Sequence, residues 1–255
     1  MAITYVGSRI VGAAGTTSEW NFGLGSLTGG SDATPSIGDL VVVAYCTASA
    51  TDRTLTIKDS AGGTDYTLIG SELFASDSNG LNMRVAYKFM TGSVDTNVYF
   101  SETVNGGTGA LTDAGAAMYF VLRGVHATPL EQAAQQGTGT NTHLVNPGGI
   151  TPTTPGTYIF VVGAGSAALG GAFTQGDLTN FQTNTFADTV DASIGGGHLA
   201  WTSGAYNPAT FGGGGTDNVN NSYAWTIAAF APASSGGLSH TLSGKFGGLL
   251  KGKLG

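Results

Sequence analysis

A glycine-rich segment is the most conspicuous candidate for chemistry in this sequence. Residues 163–168 read Gly-Ala-Gly-Ser-Ala-Ala and directly follow the apolar run 158–162, which matches the G-x-G-x-x-G/A fingerprint of dinucleotide-binding folds. Asp188 lies about 20 residues further on, where such folds place the acidic residue that binds the ribose. The fingerprint requires a helix facing the pyrophosphate, and the glycines at 170–171 would break that helix. We therefore predict a glycine loop at a strand end and no bound cofactor.

Histidine and cysteine give no metal-binding or nucleophilic pattern. The histidines His126, His143, His198 and His240 are widely separated, and no two of them have the spacing that places two imidazoles on one strand or helix face. The single cysteine, Cys46, lies in an apolar run, so it is predicted to be a buried, inert thiol. We expect no metal site.

The sixteen carboxylates also suggest no catalytic arrangement. They are spread among turn-forming segments, no Gly-x-Ser-x-Gly elbow is present, and no pair can be assigned as acid and nucleophile. Segments 59–63 and 77–80 contain residues that tolerate the positive φ of tight turns, so they are predicted to be turns. They lack the alternating oxygen ligands of a calcium loop. The prediction is a protein without catalytic residues. A glycan-degrading enzyme stays as an alternative that needs two carboxylates facing each other across a groove.

Aromatic side chains near glycine-rich loops are candidates for stacking on sugar rings. Trp20 and Tyr206 are predicted to be exposed glycan contacts, and Tyr99 and Trp201 also lie near such loops. Trp201 and Trp225 fall inside predicted strands, where a role in the core is expected. A carbohydrate-binding module, secreted or on a cell surface, is therefore the main alternative function.

Composition and charge restrict the fold and the partners. The 43 glycines are more than twice the usual share, and glycine disfavours helices, so strands and turns are expected. The net charge is −7 and the first 240 residues contain no Lys/Arg cluster, which disfavours nucleic acid as a partner. There is no apolar run of about 18 residues for membrane insertion and no secretory signal pattern at the start.

Short runs rich in Val, Tyr, Phe and Thr alternate with Gly, Asn, Asp and Ser clusters, as in antiparallel β proteins. The predicted strands are residues 3–11, 39–47, 54–58, 66–74, 83–90, 97–104, 117–125, 157–162, 180–185, 198–203 and 223–231. Residues 40–44 and 158–162 are apolar at every position, so they are predicted to be central strands with both faces covered.

An internal duplication relates the two parts of the chain. Residues 37–44 match 155–162, residues 80–87 match 196–201, and residues 116–125 match 223–232, always in the same order. Two related halves, about 1–130 and 131–233, are predicted to pack face to face as one β-sandwich. Two tandem sandwiches joined by a linker at 131–142 are the alternative.

The motifs at residues 38–43 (Gly-Asp-Leu-Val-Val-Val), 84–88 (Arg-Val-Ala-Tyr-Lys) and 119–130 resemble an internally duplicated β-sandwich module of bacteriophage virion proteins and bacterial surface proteins. The second half ends, as in that module, with a strand like residues 224–232. The resemblance covers about residues 1–233. It implies a jelly-roll-like antiparallel sandwich in a structural or adhesive setting and carries no catalytic residues.

Residues 234–255 have a different composition and are predicted to be an extended tail. They begin Ser-Ser-Gly-Gly, contain three lysines and no acidic residue, and are too short to bury their own apolar groups. Such a segment is expected to order by docking on a partner. The predicted docking residues are Leu238, Leu242, Lys245, Phe246, Leu249, Leu250, Lys251, Lys253 and Leu254.

The function expected from these observations is that of a structural subunit of a phage particle, as a head fibre, a decoration protein or a tail-associated component. It would assemble in the host cytoplasm, leave with the virion, and contact other virion proteins and copies of itself, with a trimer preferred. A host-surface glycan is the additional partner considered.

Overall fold

The computed structural model describes residues 2–13, 19–60, 62–104, 114–142, 144–166, 173–186, 191–212 and 221–234. Within these ranges there is no helix that could span a membrane. The strands are β1 Thr4–Ala13, β2 Trp20–Gly23, β3 Leu40–Ala48, β4 Arg53–Lys58, β5 Thr67–Leu68, β6 Leu73–Ala75, β7 Leu81–Phe89, β8 Asn97–Val104, β9 Gly115–Arg123, β10 Val125–Leu130, β11 Gln135–Thr140, β12 Tyr158–Ser166, β13 Thr179–Phe186, β14 Ala192–Ala200 and β15 Ser222–Pro232.

The strands form three antiparallel sheets. Sheet 1 has the order β1-β9-β3-β7-β5, with β6 also paired to β7, and sheet 2 has the order β10-β15-β12-β14-β13, with β11 also paired to β15. Sheet 3 is smaller and has the order β2-β8-β4. Strands β1 to β9 supply sheets 1 and 3, and strands β10 to β15 supply sheet 2, so β10, within the predicted first half, already belongs to sheet 2.

The central core lies between sheets 1 and 2. Phe120 of β9 and Phe160 of β12 are fully buried there, with ring centroids 4.9 Å apart. Because one residue comes from each half, the two halves share this core. The predicted antiparallel β-sandwich formed by two related halves is confirmed.

The outer faces of sheets 1 and 2 are covered as well. Sheet 3 packs on sheet 1 through Trp20, Tyr45 and Phe100, which belong to a second buried cluster. Sheet 2 is covered by extended segments joined at the isolated bridges Val145↔Phe211, Ile150↔Tyr206 and Thr174↔Gly212. The prediction that residues 40–44 and 158–162 have both faces covered is therefore confirmed.

The two halves have equivalent strand orders. In sheet 1, β3 lies between β9 and β7, and Leu40 pairs with Leu122 and Phe89. In sheet 2, β12 lies between β15 and β14, and Tyr158 pairs with Phe230 and Ala200. The duplicated segments thus occupy matching places in the two sheets.

The packing between the sheets is reciprocal. Strand β9 contacts β14 while β7 contacts β15, and β1 contacts β13 while β11 contacts β6. Strand β9 corresponds to β15, β7 to β14, β1 to β11 and β6 to β13. Replacing each strand by its equivalent therefore converts the first contact of each pair into the second, as in a two-fold symmetric dimer interface. The chain therefore has a pseudo-two-fold axis that runs along the strand direction, between β3 and β12.

One detail of the predicted repeat is wrong. Strand β14 begins at Ala192 rather than at the predicted His198, so β14 as a whole, with nine residues like β7, is the counterpart of β7. The glycines Gly195–Gly197 precede the predicted strand, but they lie within β14. At Gly196 a Cβ atom would lie 2.8 Å from Met118 Sδ and 2.8 Å from the carbonyl oxygen of Val161. Close packing between the sheets, not a turn, accounts for glycine there.

Two further glycine-containing segments, predicted as a loop and as a linker, include strands whose glycines are closely covered by neighbouring side chains. The predicted glycine loop at 163–168 begins as the last four residues of β12, and at Gly163 a Cβ atom would lie 2.9 Å from Phe211 and Val145; residues 167–168 lie outside the described residues. The polar segment 131–142 contains β11, in which Gly137 and Gly139 pair with Trp225 and Tyr223 of β15. Each ring covers its partner glycine, so this segment is an edge of sheet 2 and not a linker.

The single strand predicted at residues 66–74 is two short strands, β5 and β6. Gly70 separates them with φ of 68°, a conformation that favours glycine. The side chain of Gln136 accepts a hydrogen bond from the backbone N–H of Ser71 (2.7 Å) and donates to the Ser71 carbonyl (3.0 Å), as a neighbouring strand would. The Gln136 amide thereby links β11 of sheet 2 to the segment between β5 and β6 of sheet 1.

Candidate functional site

The sandwich has two different poles. Strands β1, β3 and β12 begin, and β7, β9, β14 and β15 end, at one pole, which we name the terminal pole. At the opposite pole, the loop pole, β1, β3 and β12 end, and β7, β9, β14 and β15 begin. The chain leaves the sandwich after β15, at the terminal pole, and the predicted tail begins there.

The two halves are tied together at the terminal pole. Val125 pairs with Pro232, and the Ala233 N–H donates to the Gly124 carbonyl oxygen at 2.7 Å. Gly124 directly follows β9, and Pro232 is the last residue of β15. Because β9 and β15 are equivalent strands, this backbone pairing between them lies on the pseudo-two-fold axis. The axis is therefore fixed by backbone hydrogen bonds at the point where the tail departs.

Two equivalent grooves flank the axis. The larger has a volume of about 490 Å³ and is lined by Ala2, the turn 154–156 and residues 232–234. The other, which we name the Ile37 groove, has a volume of about 310 Å³ and is lined by Gly38, Phe89, Thr91, Val125 and Ala127. Gly156 and Gly38 occupy corresponding turns, with φ of 83° and 92°.

One exposed apolar residue adjoins the lining of the Ile37 groove in the chain. Ile37 adjoins Gly38 and is 65% exposed, the most exposed large apolar side chain among the described residues. The partly buried ring of Phe89 packs against the central core from the groove side. A lone apolar residue ahead of a Gly-Asp turn is a weak sequence signal, so the sequence alone did not identify this groove.

Two charge clusters adjoin the lining of the Ile37 groove in the chain. Lys88, next to Phe89, bonds to Asp59 (2.7 Å) and Asp95 (2.8 Å). The hydrogen bond from Lys88 holds the pKa of the Asp59 carboxyl below its ordinary value. Because one cation meets two carboxylates, the cluster carries one excess negative charge.

The second cluster is centred on Arg123, two residues before Val125. Its guanidinium binds both oxygens of Asp39, at 2.8 and 3.0 Å, and one oxygen of Asp32 at 3.0 Å. The hydrogen bonds to Asp39 raise the pKa of Arg123 further. This cluster also carries one excess negative charge.

The predicted glycan contact Trp20 is wrong. Its side chain is 5% exposed, because β2 places it between sheets 3 and 1 with its ring edge-on to Tyr45 at 6.0 Å. The second predicted contact, Tyr206, is partly exposed and donates its hydroxyl to Asp177 at 3.1 Å. Tyr99 and Trp201 are partly exposed on different sheets, so the structure does not bring the four aromatic side chains together.

The nine predicted docking residues of the tail, from Leu238 to Leu254, lie outside the described residues. Cys46 is fully buried, and burial raises its thiol pKa to about 12, so the predicted inert cysteine is confirmed. The described residues contain no group of three or more His, Cys, Asp or Glu side chains that could hold a metal ion.

Of the two histidines that the structure describes, His126 and His198, only His198 is buried, and it lies in the core between the halves. Its ring is 4.2 Å from the ring of Tyr5 and stacks on Tyr158 at 5.5 Å, and Nε2 lies 3.2 Å from the Asn180 amide nitrogen. Nδ1 is buried without a hydrogen-bond partner. Burial lowers the His198 pKa to about 4.

The position of His198 predicts acid destabilisation of the sandwich. The unfolded chain takes up a proton near pH 6.5 and the folded chain only near pH 4, so this contribution to stability is complete above pH 6.5 and is lost as the pH falls to 4. We expect a loss of about 3 kcal/mol between pH 8 and pH 4. Urea unfolding of wild type and His198→Phe from pH 4 to 8 measures it. The variant should lack this slope, whereas His126→Gln should keep it; equal slopes in all three proteins would contradict the assignment.

No protein-family model and no curated protein matches the sequence.

Proposed function

We propose that the protein is a structural subunit of a bacteriophage particle, as a head fibre, decoration or tail-associated protein. In this proposal residues 234–255 attach it to the assembly and the sandwich points outward. The observation that carries the proposal is the polarity of the fold. Ala2 and Ser234 line one groove at the terminal pole, and the loop pole lies at the other end of the strands. A module mounted on a particle needs this separation between an attached end and a displayed end.

The distribution of charge supports a protein partner for the tail. Residues 1–233 contain all sixteen carboxylates and six of the nine lysine and arginine side chains, a net charge of −10. Five of those six cations already bind internal acceptors, namely Arg9, Arg53, Arg84, Lys88 and Arg123. The acidic sandwich thus disfavours nucleic acid and attracts the basic tail of another copy.

The carboxylates with defined partners support a structural and non-catalytic role. Glu131 accepts hydrogen bonds from Thr153, Thr154 and Thr157 and so fixes the turn before β12. Asp77 accepts from the backbone N–H groups of Asn79 and Gly80 in a tight turn. Both side chains hold backbone in place and leave little capacity for acid–base chemistry.

Truncation tests the attachment. A chain lacking residues 236–255 should fold, because it keeps every described strand up to the end of β15 at Pro232, but it should be lost from particles. Particles purified from a lysate of the source, labelled with an antibody and viewed by electron microscopy, should show the full-length protein at defined positions and none of the truncated chain. If the truncated chain is incorporated normally, the arm is wrong. If the full-length protein is free in the supernatant and the particles are unlabelled, the virion role is wrong, and a secreted sugar-binding role becomes the better hypothesis.

A further inference from the structure

We infer that the Ile37 groove is the receptor for the C-terminal segment of a second copy of this chain, with residues 238–254 as its occupant. This inference rests on the proposed function, in which the tail is the assembly arm, and it names the surface that the arm binds. Four observations lead to it.

The pseudo-symmetry shows which path is closed to the tail within its own molecule. After β9, the chain crosses the axis and continues as β10 at the edge of sheet 2, where Leu130 pairs with Phe230. The symmetric path after β15 leads to the edge of sheet 1 beside β9. That edge is occupied by β1, in which Tyr5 pairs with Leu122. The segment after Ser234 therefore has no vacant equivalent strand position in its own sandwich.

The direction of the chain separates the tail from the Ile37 groove of its own copy. Residues 232–234 line the other groove, together with Ala2 and the turn at 154–156, on the opposite side of the axis. The Ile37 groove is bordered instead by the connection from β9 to β10. The tail thus starts out toward Ala2 and away from the Ile37 groove, which favours a neighbouring molecule as its receptor.

The chemistry of the groove matches that of the tail. The groove is lined by apolar atoms of Phe89, Val125 and Ala127, and its volume of about 310 Å³ lies at the lower end of the range of ligand pockets. Exposed Ile37 directly precedes the lining residue Gly38 in the chain. The tail supplies leucines and Phe246 at short intervals. Burial of these side chains against Ile37 and Phe89 removes apolar surface from water on both partners.

The charges match as well. Residues 1–233 carry a net charge of −10, and the Lys88 and Arg123 clusters, at the terminal pole, each carry one excess negative charge. The tail carries Lys245, Lys251 and Lys253 and no acidic residue. Attraction between exposed charges is screened by salt, so binding should weaken as ionic strength rises.

Self-association of the full-length protein tests the receptor surface. In sedimentation velocity over a concentration series, wild type should associate, and Ile37→Glu should weaken association by about tenfold or more, because the glutamate places a charge in an apolar contact. The matched control is Leu144→Glu, since Leu144 is the other exposed large apolar side chain described, at 36% exposure. It should leave association unchanged. Equal effects of the two variants, or a wild type that stays monomeric at all concentrations, would overturn the inference.

Photocrosslinking tests the occupant. Phe246 is replaced by p-benzoylphenylalanine in the full chain, copies labelled with ¹⁴N and ¹⁵N are mixed, and crosslinked peptides are identified by mass spectrometry. Crosslinks from position 246 to peptides containing Ile37, Phe89 or Val125 in mixed-isotope pairs are expected. Crosslinks only within one isotope would show docking on the same chain, and crosslinks to other surfaces would exclude this groove; both overturn the inference. Neither result removes the virion role, which fails only if the protein is absent from particles.

Discussion

Glu102→Ala is expected to lower the free energy of unfolding by about 3–5 kcal/mol. Glu102 Oε1 lies 3.1 Å from the Arg53 guanidinium, and the two side chains are only 3% and 7% exposed. Removing the carboxylate leaves a buried guanidinium without its counter-charge, which costs far more than the loss of an exposed ion pair. Equilibrium urea unfolding at pH 7 measures the change.

Two comparisons define this result. The double variant Arg53→Met, Glu102→Leu removes both charges and should recover most of the lost stability, since buried ion pairs are often replaceable by apolar residues. Asp59→Asn, in the partly exposed Lys88 cluster, should cost only about 1 kcal/mol or less. A cost below about 1 kcal/mol for Glu102→Ala would mean that water reaches Arg53 and that the ion pair behaves as a solvent-exposed one.

The structural role of this ion pair explains its expected size. The Arg53 backbone N–H donates to the Asn82 side-chain oxygen at 2.8 Å, and Arg53 Nε donates to Ser49 Oγ at 2.9 Å. Glu102 is in β8 of sheet 3, whereas Ser49 follows β3 and Asn82 is in β7 of sheet 1. The cluster therefore joins sheet 3 to sheet 1 near the loop pole.

Phe160→Ala is also expected to lower the free energy of unfolding by about 3–5 kcal/mol, because it opens a cavity in the core shared by the halves. Phe160 is fully buried and its ring contacts that of Phe120. Since Phe120 belongs to the first half, Phe120→Ala combined with Phe160→Ala should cost less than the sum of the single changes.

The same variant tests the cooperativity of the halves. Unfolding is followed by the fluorescence of Trp20 in one half and of Trp225 in the other, each as the single remaining tryptophan. Coincident transitions that move together in Phe160→Ala are expected for one cooperative core. Two separate transitions, with only the Trp225 signal shifted, would show that the halves unfold as independent sandwiches.

The sequence by itself predicted the fold class, the two central strands, the duplication and the buried cysteine. These features depend on local composition and pattern. Glycine at this density disfavours helices, and a strand that is apolar at every position, such as 40–44, must be covered on both faces whatever covers it. The repeat order was visible because both halves use the same pattern for equivalent strands.

The tertiary structure decided what each ambiguous residue does. Gly196 and Gly137 look like turn residues in the sequence, but they are strand positions where a neighbouring side chain or sheet leaves no room for a Cβ atom. Trp20 looks exposed between polar neighbours, yet a four-residue strand carries it into the core. The Ile37 groove joins residues from 38 to 127 that meet only in the folded chain. Such contacts are long-range, and no local pattern encodes which distant side chain will cover a glycine, a tryptophan or a groove.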